Sequence, residues 1–142
     1  MKKLLATGGR DGLVRFHSLQ SGKEEFTLNA HQLAVTSVGF SRDGARLASA
    51  GLEGDMHVWN VKKRQRLFTM HGHSGSVWDL DFAPGDNQLV SAGHDFLVRV
   101  WNATAGQEAA PLPMQARMAS VRRFDSCESK SRKINLSRTL CL

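Results

Sequence analysis

The fold is decided by the stretch Leu89-Val-Ser-Ala-Gly-His-Asp-Phe-Leu-Val-Arg-Val-Trp-Asn102, because the chain contains two further copies of its pattern. The second copy, 42 residues earlier, is Leu47-Ala-Ser-Ala-Gly-Leu-Glu-Gly-Asp-Met-His-Val-Trp-Asn60. A further 42 residues towards the start, the pattern occurs as Leu5-Ala-Thr-Gly-Gly-Arg-Asp-Gly-Leu-Val-Arg-Phe-His-Ser18. The three copies align without a gap. So many matched positions at one spacing indicate that a single structural unit is repeated.

Within each unit, the local pattern is that of short antiparallel strands. Apolar and acidic side chains alternate through Val77-Trp-Asp-Leu-Asp-Phe82, as they do in a strand with one face buried. Turn-forming residues follow at short intervals, as in Arg42-Asp-Gly44 and Pro84-Gly-Asp-Asn87. No segment shows a helical period. Each unit therefore predicts four strands joined by hairpins.

The 42-residue period, the Gly72-His73 pair and the tryptophans at 59 and 101 resemble the WD40 repeat. The resemblance covers about residues 4–110. It implies an all-β fold, a partial WD40 β-propeller of about three four-stranded antiparallel blades, followed by an irregular C-terminal tail. Closed propellers need about four to eight blades, so one chain is not expected to close the ring.

The resemblance also implies a domain organisation. An incomplete propeller is expected over residues 1–112, with blades at about 1–30, 31–72 and 73–112. Pro111 and Pro113 are expected to break a strand. Residues 113–142 then form a basic, serine-rich tail whose low hydrophobicity predicts disorder.

WD40 blades contain a hydrogen-bonded set of a histidine, a serine, an acid and a tryptophan, and this chain has matching positions. Such a set satisfies buried polar groups, each of which costs about 1–3 kcal/mol if left unpaired. We therefore expect a structural role for it. The matching residues are His73, Ser91, Asp95 and Trp101 in the last blade, and His31, Ser49, Glu53 and Trp59 in the middle blade.

The alternative interpretation of the last set is catalytic, since His73, Ser91 and Asp95 are the residue types of a hydrolase triad. A triad also needs an exposed serine and an oxyanion hole. Ser91 is expected to lie in the middle of a strand, and the same residue types recur one period earlier. We therefore predict no catalytic residues and no enzymatic activity.

Candidate partner-binding residues are those whose type is not repeated from one copy to the next. Trp78 stands where the middle blade has Thr36, so the fold does not require an aromatic residue there. An exposed tryptophan is a frequent contact hot spot, although Trp78 could instead cover the adjacent blade. One turn position holds a different type of residue in each copy: Arg10, Leu52 and His94. Such variation is expected where the fold does not require a particular side chain, so that the residue is either selected by a binding partner or under no constraint.

The composition limits which cellular compartment and which kinds of ligand are expected. The two cysteines lie within the last sixteen residues, which favours a reducing intracellular setting, cytoplasmic or nuclear. No cysteine or histidine cluster has zinc-ligand spacing, and neither a metal nor another cofactor is expected. No apolar run is long enough for a membrane span. Residues 117–142 hold 7 Lys+Arg against 2 Asp+Glu, so most of the net charge of +6 belongs to the tail.

These observations predict a non-catalytic scaffold or adaptor that binds other proteins or peptides in a multi-subunit complex. An RNA-associated module using the basic tail is the alternative. The chain is expected to be a fragment or truncated isoform of a longer propeller. Open blade edges predict that the isolated chain self-associates or is only partly folded. A monodisperse, cooperatively melting monomer in size-exclusion chromatography and circular dichroism would contradict this prediction.

Overall fold

Eleven short strands and no helix make up residues 3–113, the part of the chain that this computed structural model describes. They form three antiparallel sheets, with the strand orders β1-β2-β3, β4-β5-β6-β7 and β8-β9-β10-β11. The predicted all-β fold is confirmed, and the three sheets do not close into a ring. The strands are β1 Leu4–Gly8, β2 Leu13–Ser18, β3 Glu24–Asn29, β4 Val35–Phe40, β5 Arg46–Gly51, β6 Met56–Asn60, β7 Gln65–Met70, β8 Val77–Phe82, β9 Gln88–Gly93, β10 Leu97–Asn102 and β11 Gln107–Pro113.

The repeat is preserved in the irregularities of the sheets as well as in their strands. The register between β4 and β5 shifts between Val35 and Ser37, and that between β8 and β9 shifts between Val77 and Asp79. These are the same positions one period apart. The shift leaves one extra residue on the bulged strand, and a bulge of this kind redirects a side chain. The extra residue is Thr36 in the middle sheet and Trp78 in the last.

The middle sheet is buried on both faces because successive side chains of a strand point to opposite sides. Leu47 and Trp59 face the first sheet and belong to one apolar core. Ala48 and Val58, their neighbours in sequence, face the last sheet and belong to the other core. A near-continuous apolar sequence in β5 and β6 is the consequence, since both faces need apolar residues.

Arg46 joins the middle and last sheets through partly buried polar contacts. Its Nη1 donates to the carbonyl of Ala103 at 2.7 Å, and its Nη2 donates to the carbonyl of Asp86 at 2.6 Å. The guanidinium also lies 5.4 Å from the centre of the Phe82 ring, within cation–π range. Directional bonds therefore fix how these two sheets pack, in addition to the apolar core between them.

The last strand corrects one expectation from the sequence. Pro111 and Pro113 were expected to break a strand, yet β11 runs to Pro113 and pairs Pro111 with Arg99. The reason is that β11 lies at the edge of its sheet and pairs only with β10. A proline lacks an N–H donor, which costs nothing on the unpaired side of an edge strand.

The structure describes no helix long and apolar enough to cross a membrane within residues 3–113. The tail lies outside the described residues from 114 onward. The blade limits and the tail boundary therefore remain predictions.

Candidate functional site

In the last sheet, the four residues of the predicted polar set meet in one chain of contacts. Trp101 Nε1 donates to Ser91 Oγ at 2.8 Å, and Ser91 Oγ lies 2.8 Å from His73 Nε2. His73 Nδ1 lies 2.8 Å from Asp95 Oδ1. The loop before β8, strand β9, the turn after it and strand β10 are thereby tied together.

The middle sheet contains the same arrangement in its equivalent residues. Trp59 Nε1 donates to Ser49 Oγ at 3.0 Å, and Ser49 Oγ lies 2.9 Å from His31 Nε2. His31 Nδ1 lies 2.5 Å from Glu53 Oε1. Glutamate thus reaches the histidine that aspartate reaches in the last sheet.

The hydrogen-bond roles in the last sheet follow from the donors available. Because the carboxylate of Asp95 can only accept, the ring proton of His73 lies on Nδ1, and Nε2 of the neutral ring accepts from the hydroxyl of Ser91. Burial by itself raises the pKa of Asp95. The hydrogen bonds from His73 and from the backbone N–H groups of Leu97 and Ser74 outweigh it and hold the pKa below its ordinary value.

This geometry favours a structural role over a catalytic one. The side chain of His73 is fully buried, and Ser91 is 0% exposed in the middle of β9. A nucleophilic serine must reach its substrate, and a carbonyl carbon cannot approach Ser91 without separating the sheets. The arrangement therefore fixes the register of strands and offers no open reaction centre.

Trp78 lies half-buried at the bulge of β8 and contacts the turn between β9 and β10. Its ring meets that of His94 edge to face, with the centroids 5.5 Å apart at 89°. Thr36, its counterpart in the middle sheet, instead donates its hydroxyl to the carbonyl of Ala50 at 3.1 Å. The bulge is shared, but only the last sheet uses it to present an aromatic ring.

Phe96 is a candidate that the sequence analysis did not single out. It lies in the same turn as His94, with the ring centroids 5.9 Å apart, and is 50% exposed. Its φ is +61°, whereas the equivalent positions in the other sheets are Gly12 at +78° and Gly54 at +96°. A phenylalanine in this left-handed region is an outlier. The signal was present in the aligned repeats as Gly, Gly, Phe at one position.

Leu52 extends this surface towards the middle sheet. Its carbonyl accepts a bond from Ser76 Oγ at 3.0 Å, and the carbonyl of Ser76 accepts one from His94 N–H at 2.8 Å. Its side chain is 43% exposed. We refer to Leu52, Trp78, His94 and Phe96 as the aromatic surface. Arg10 is exposed in the corresponding turn of the first sheet.

The sequence matches the WD40 family, described as WD domain, G-beta repeat, over residues 22–60 and 64–102. The chain belongs to the WD40 family. The predicted resemblance and the β-propeller type of blade are both confirmed. Propellers of this family are generally non-catalytic interaction scaffolds, and no enzymatic activity is indicated by these matches.

Three solved structures illustrate the similarity. "Structure of U3-55K" has a TM-score of 0.78 and 27% identity over 82% of this chain and 38% of that chain. "Crystal structure of RRP9 WD40 repeats" has a TM-score of 0.77 and 28% identity over 82% of this chain and 37% of that chain. "Crystal Structure of Mitotic Checkpoint Complex" has a TM-score of 0.72 and 26% identity over 77% and 36%. This WD40 chain thus spans less than two fifths of each, and no curated protein sequence matches it.

Proposed function

We propose that this WD40 chain is a non-catalytic protein-interaction module that binds a peptide segment of a partner through the aromatic surface. The observation that carries the proposal is Phe96. A left-handed backbone costs about 1–2 kcal/mol for a residue with a side chain, and glycine fills the same turn position in both other sheets. A contact between the exposed ring of Phe96 and a partner would explain why the chain has phenylalanine there in spite of this cost.

The chemistry of the surface favours an apolar anchor from the partner. Trp78, His94 and Phe96 form a continuous row of rings. Exposed Leu52 is linked to it through the backbone of Ser76 and His94. Rigid aromatic side chains bury a large area at a low entropic cost, which makes them typical hot spots of interfaces. One similar structure is that of a multi-protein complex, which supports protein partners.

The test is selection of binding peptides from a display library on the full chain, followed by fluorescence polarisation of the selected peptides. Trp78→Ala is expected to weaken binding at least about tenfold, because removing a hot spot costs more than about 1.4 kcal/mol. Leu67→Ala is the matched control, since Leu67 is 46% exposed on β7, outside the aromatic surface. It should bind as the wild type does.

Two outcomes would contradict the proposal. One is equal affinity of the wild type and Trp78→Ala, with circular dichroism showing that both are folded. The other is binding that disappears when residues 114–142 are deleted and that falls steeply with salt, which would favour the RNA-associated alternative. The tail on which that alternative depends lies outside the described residues.

Self-association through open blade edges, and a complex in which this chain is one of several subunits, are further proposals about partners. The outer strands of the sheets, such as β7 and β11, each pair on one side only. Unpaired N–H and C=O groups on such strands can accept a strand from a second chain.

A further inference from the structure

His57 occupies a position that is cationic in the other two sheets. Arg15 precedes it by one period and Arg99 follows it by one period. Each of these arginines contacts the acid of its own sheet. Arg15 Nη2 lies 2.5 Å from Asp11 Oδ2, and Arg99 Nη2 lies 3.6 Å from Asp95 Oδ2. In those sheets, a guanidinium therefore faces the carboxylate, at both oxygens of Asp11 and at the second oxygen of Asp95.

The middle sheet lacks this cation, and its acid has one oxygen without a partner. Glu53 Oε1 contacts His31, but Glu53 Oε2 is buried and has no hydrogen-bond partner within the part of the chain that the structure describes. The imidazole of His57, which stands at the position of the arginine, is not a hydrogen-bond partner of that oxygen.

The three side chains form a compact group of metal-binding atoms. The ligand atoms of His31, Glu53 and His57 all lie within 4.8 Å of one another. The two imidazole rings are stacked, with centroids 4.6 Å apart at 24°. Because a metal lies in the plane of each imidazole that binds it, the His57 ring must turn for both rings to face one ion. His57 Nδ1 lies 2.9 Å from Thr69 Oγ1, a contact that leaves Nε2 as the nitrogen for a ligand. Such an outer contact is typical of metal-binding histidines.

We propose that His31, Glu53 and His57 bind a Zn²⁺ ion, which supplies the positive charge that arginine supplies in the other two sheets. Two imidazoles and one carboxylate are a known zinc ligand set, and the fourth position would be filled by water. With an ion on His31 Nδ1, the single proton of the neutral ring would move to Nε2, and no net proton would be released. His31 Nε2 then carries a proton and donates it to Ser49 Oγ.

The site is buried but can be reached and can adjust. Two ligands of one tetrahedral zinc ion lie about 3.3 Å apart, so His31 Nδ1 and Glu53 Oε1, now 2.5 Å apart, must separate, and any wider gaps in the group must close. Glu53 provides the movement, because it lies in the turn after β5 and its side chain is 18% exposed, whereas that of His31 is fully buried. The sequence predicted no metal because the three ligands come from three separate elements and have no recognisable spacing.

The test is zinc binding by the full chain with Cys127 and Cys141 replaced by serine, so that thiolates do not contribute. We expect one zinc ion per chain by competition with a chromophoric chelator, and a cobalt spectrum typical of tetrahedral coordination. Saturating zinc should also raise the melting temperature, by about 5 °C or more at a hundredfold excess over the dissociation constant.

The decisive variant is His57→Arg, which reproduces the residue of the other two sheets and is expected to fold. It should lower zinc affinity at least about tenfold and remove the thermal shift. His71→Gln is the matched control, because His71 is a 70% exposed histidine that pairs with Asp55 instead. It should bind zinc as the parent does. Equal binding by His57→Arg, or no binding below about 100 µM zinc, would overturn the proposal.

Discussion

Replacing Asp95 with alanine is expected to lower the free energy of unfolding by about 3 kcal/mol. The carboxylate accepts bonds from His73 Nδ1 at 2.8 Å and from the backbone N–H groups of Ser74 and Leu97 at 3.2 Å each. It also faces Arg99, whose side chain is 13% exposed. Removing one partner of a buried charged pair is strongly destabilising, because the other partner remains buried. Urea unfolding followed by circular dichroism would measure the change.

The matched control for this prediction is Asp11→Ala in the first sheet. Asp11 occupies the equivalent turn position and pairs with Arg15, but its side chain is 48% exposed. An exposed pair contributes little because water screens it and solvates each charge. The change should therefore be much smaller than that of Asp95→Ala. If both variants unfolded at the same urea concentration as the wild type, the structural role of Asp95 would be wrong.

The same carboxylate should make stability depend on pH in the acid range. The pKa of Asp95 is held below its ordinary value of 3.8 in the folded state, so the unfolded chain takes up the proton first. Its contribution is complete above the ordinary pKa and is lost as the pH falls through the folded pKa. The difference in melting temperature between the wild type and Asp95→Asn should therefore be largest near pH 6 and should shrink below about pH 4.

The repeat, together with the resemblance to the WD40 family that it carries, was enough to predict the fold and the residues of the buried polar sets. A residue such as Ser91 recurs one period earlier as Ser49, and both lie in the second strand of a four-stranded sheet, as expected. Repetition identifies what the blade requires, because each copy must solve the same packing and hydrogen-bonding problem. It also favours a framework role for the residues that resemble a triad, because the same residue types recur one period earlier.

The repeat could not predict the contacts made by residues that differ from one copy to the next. Trp78 was noticed, but its position at a β-bulge beside His94 depends on strand register. Pro113 was expected to break a strand because the edge position of β11 was not known. The cluster around His57 combines residues from three elements, and only the folded sheet brings their ligand atoms together. Such contacts are tertiary and do not produce a periodic pattern in the sequence.

Replacing Phe96 with glycine is expected to stabilise the fold by about 0.5–1 kcal/mol while it weakens peptide binding. Phe96 has a φ of +61° and is half-exposed, so glycine removes backbone strain and gives up little burial. Part of this gain is offset because glycine makes the unfolded chain more flexible. Thermal unfolding and fluorescence polarisation on the same samples would measure the two effects.

Phe96→Ala separates strain from the aromatic ring. Alanine keeps a Cβ and therefore the cost of a positive φ, but it lacks the ring that contacts His94. It should bind as weakly as Phe96→Gly without its gain in stability. If glycine instead lowered the melting temperature, the ring of Phe96 would be a structural support of the turn. Its retention would then need no partner, and the main argument for the aromatic surface as a docking site would fail.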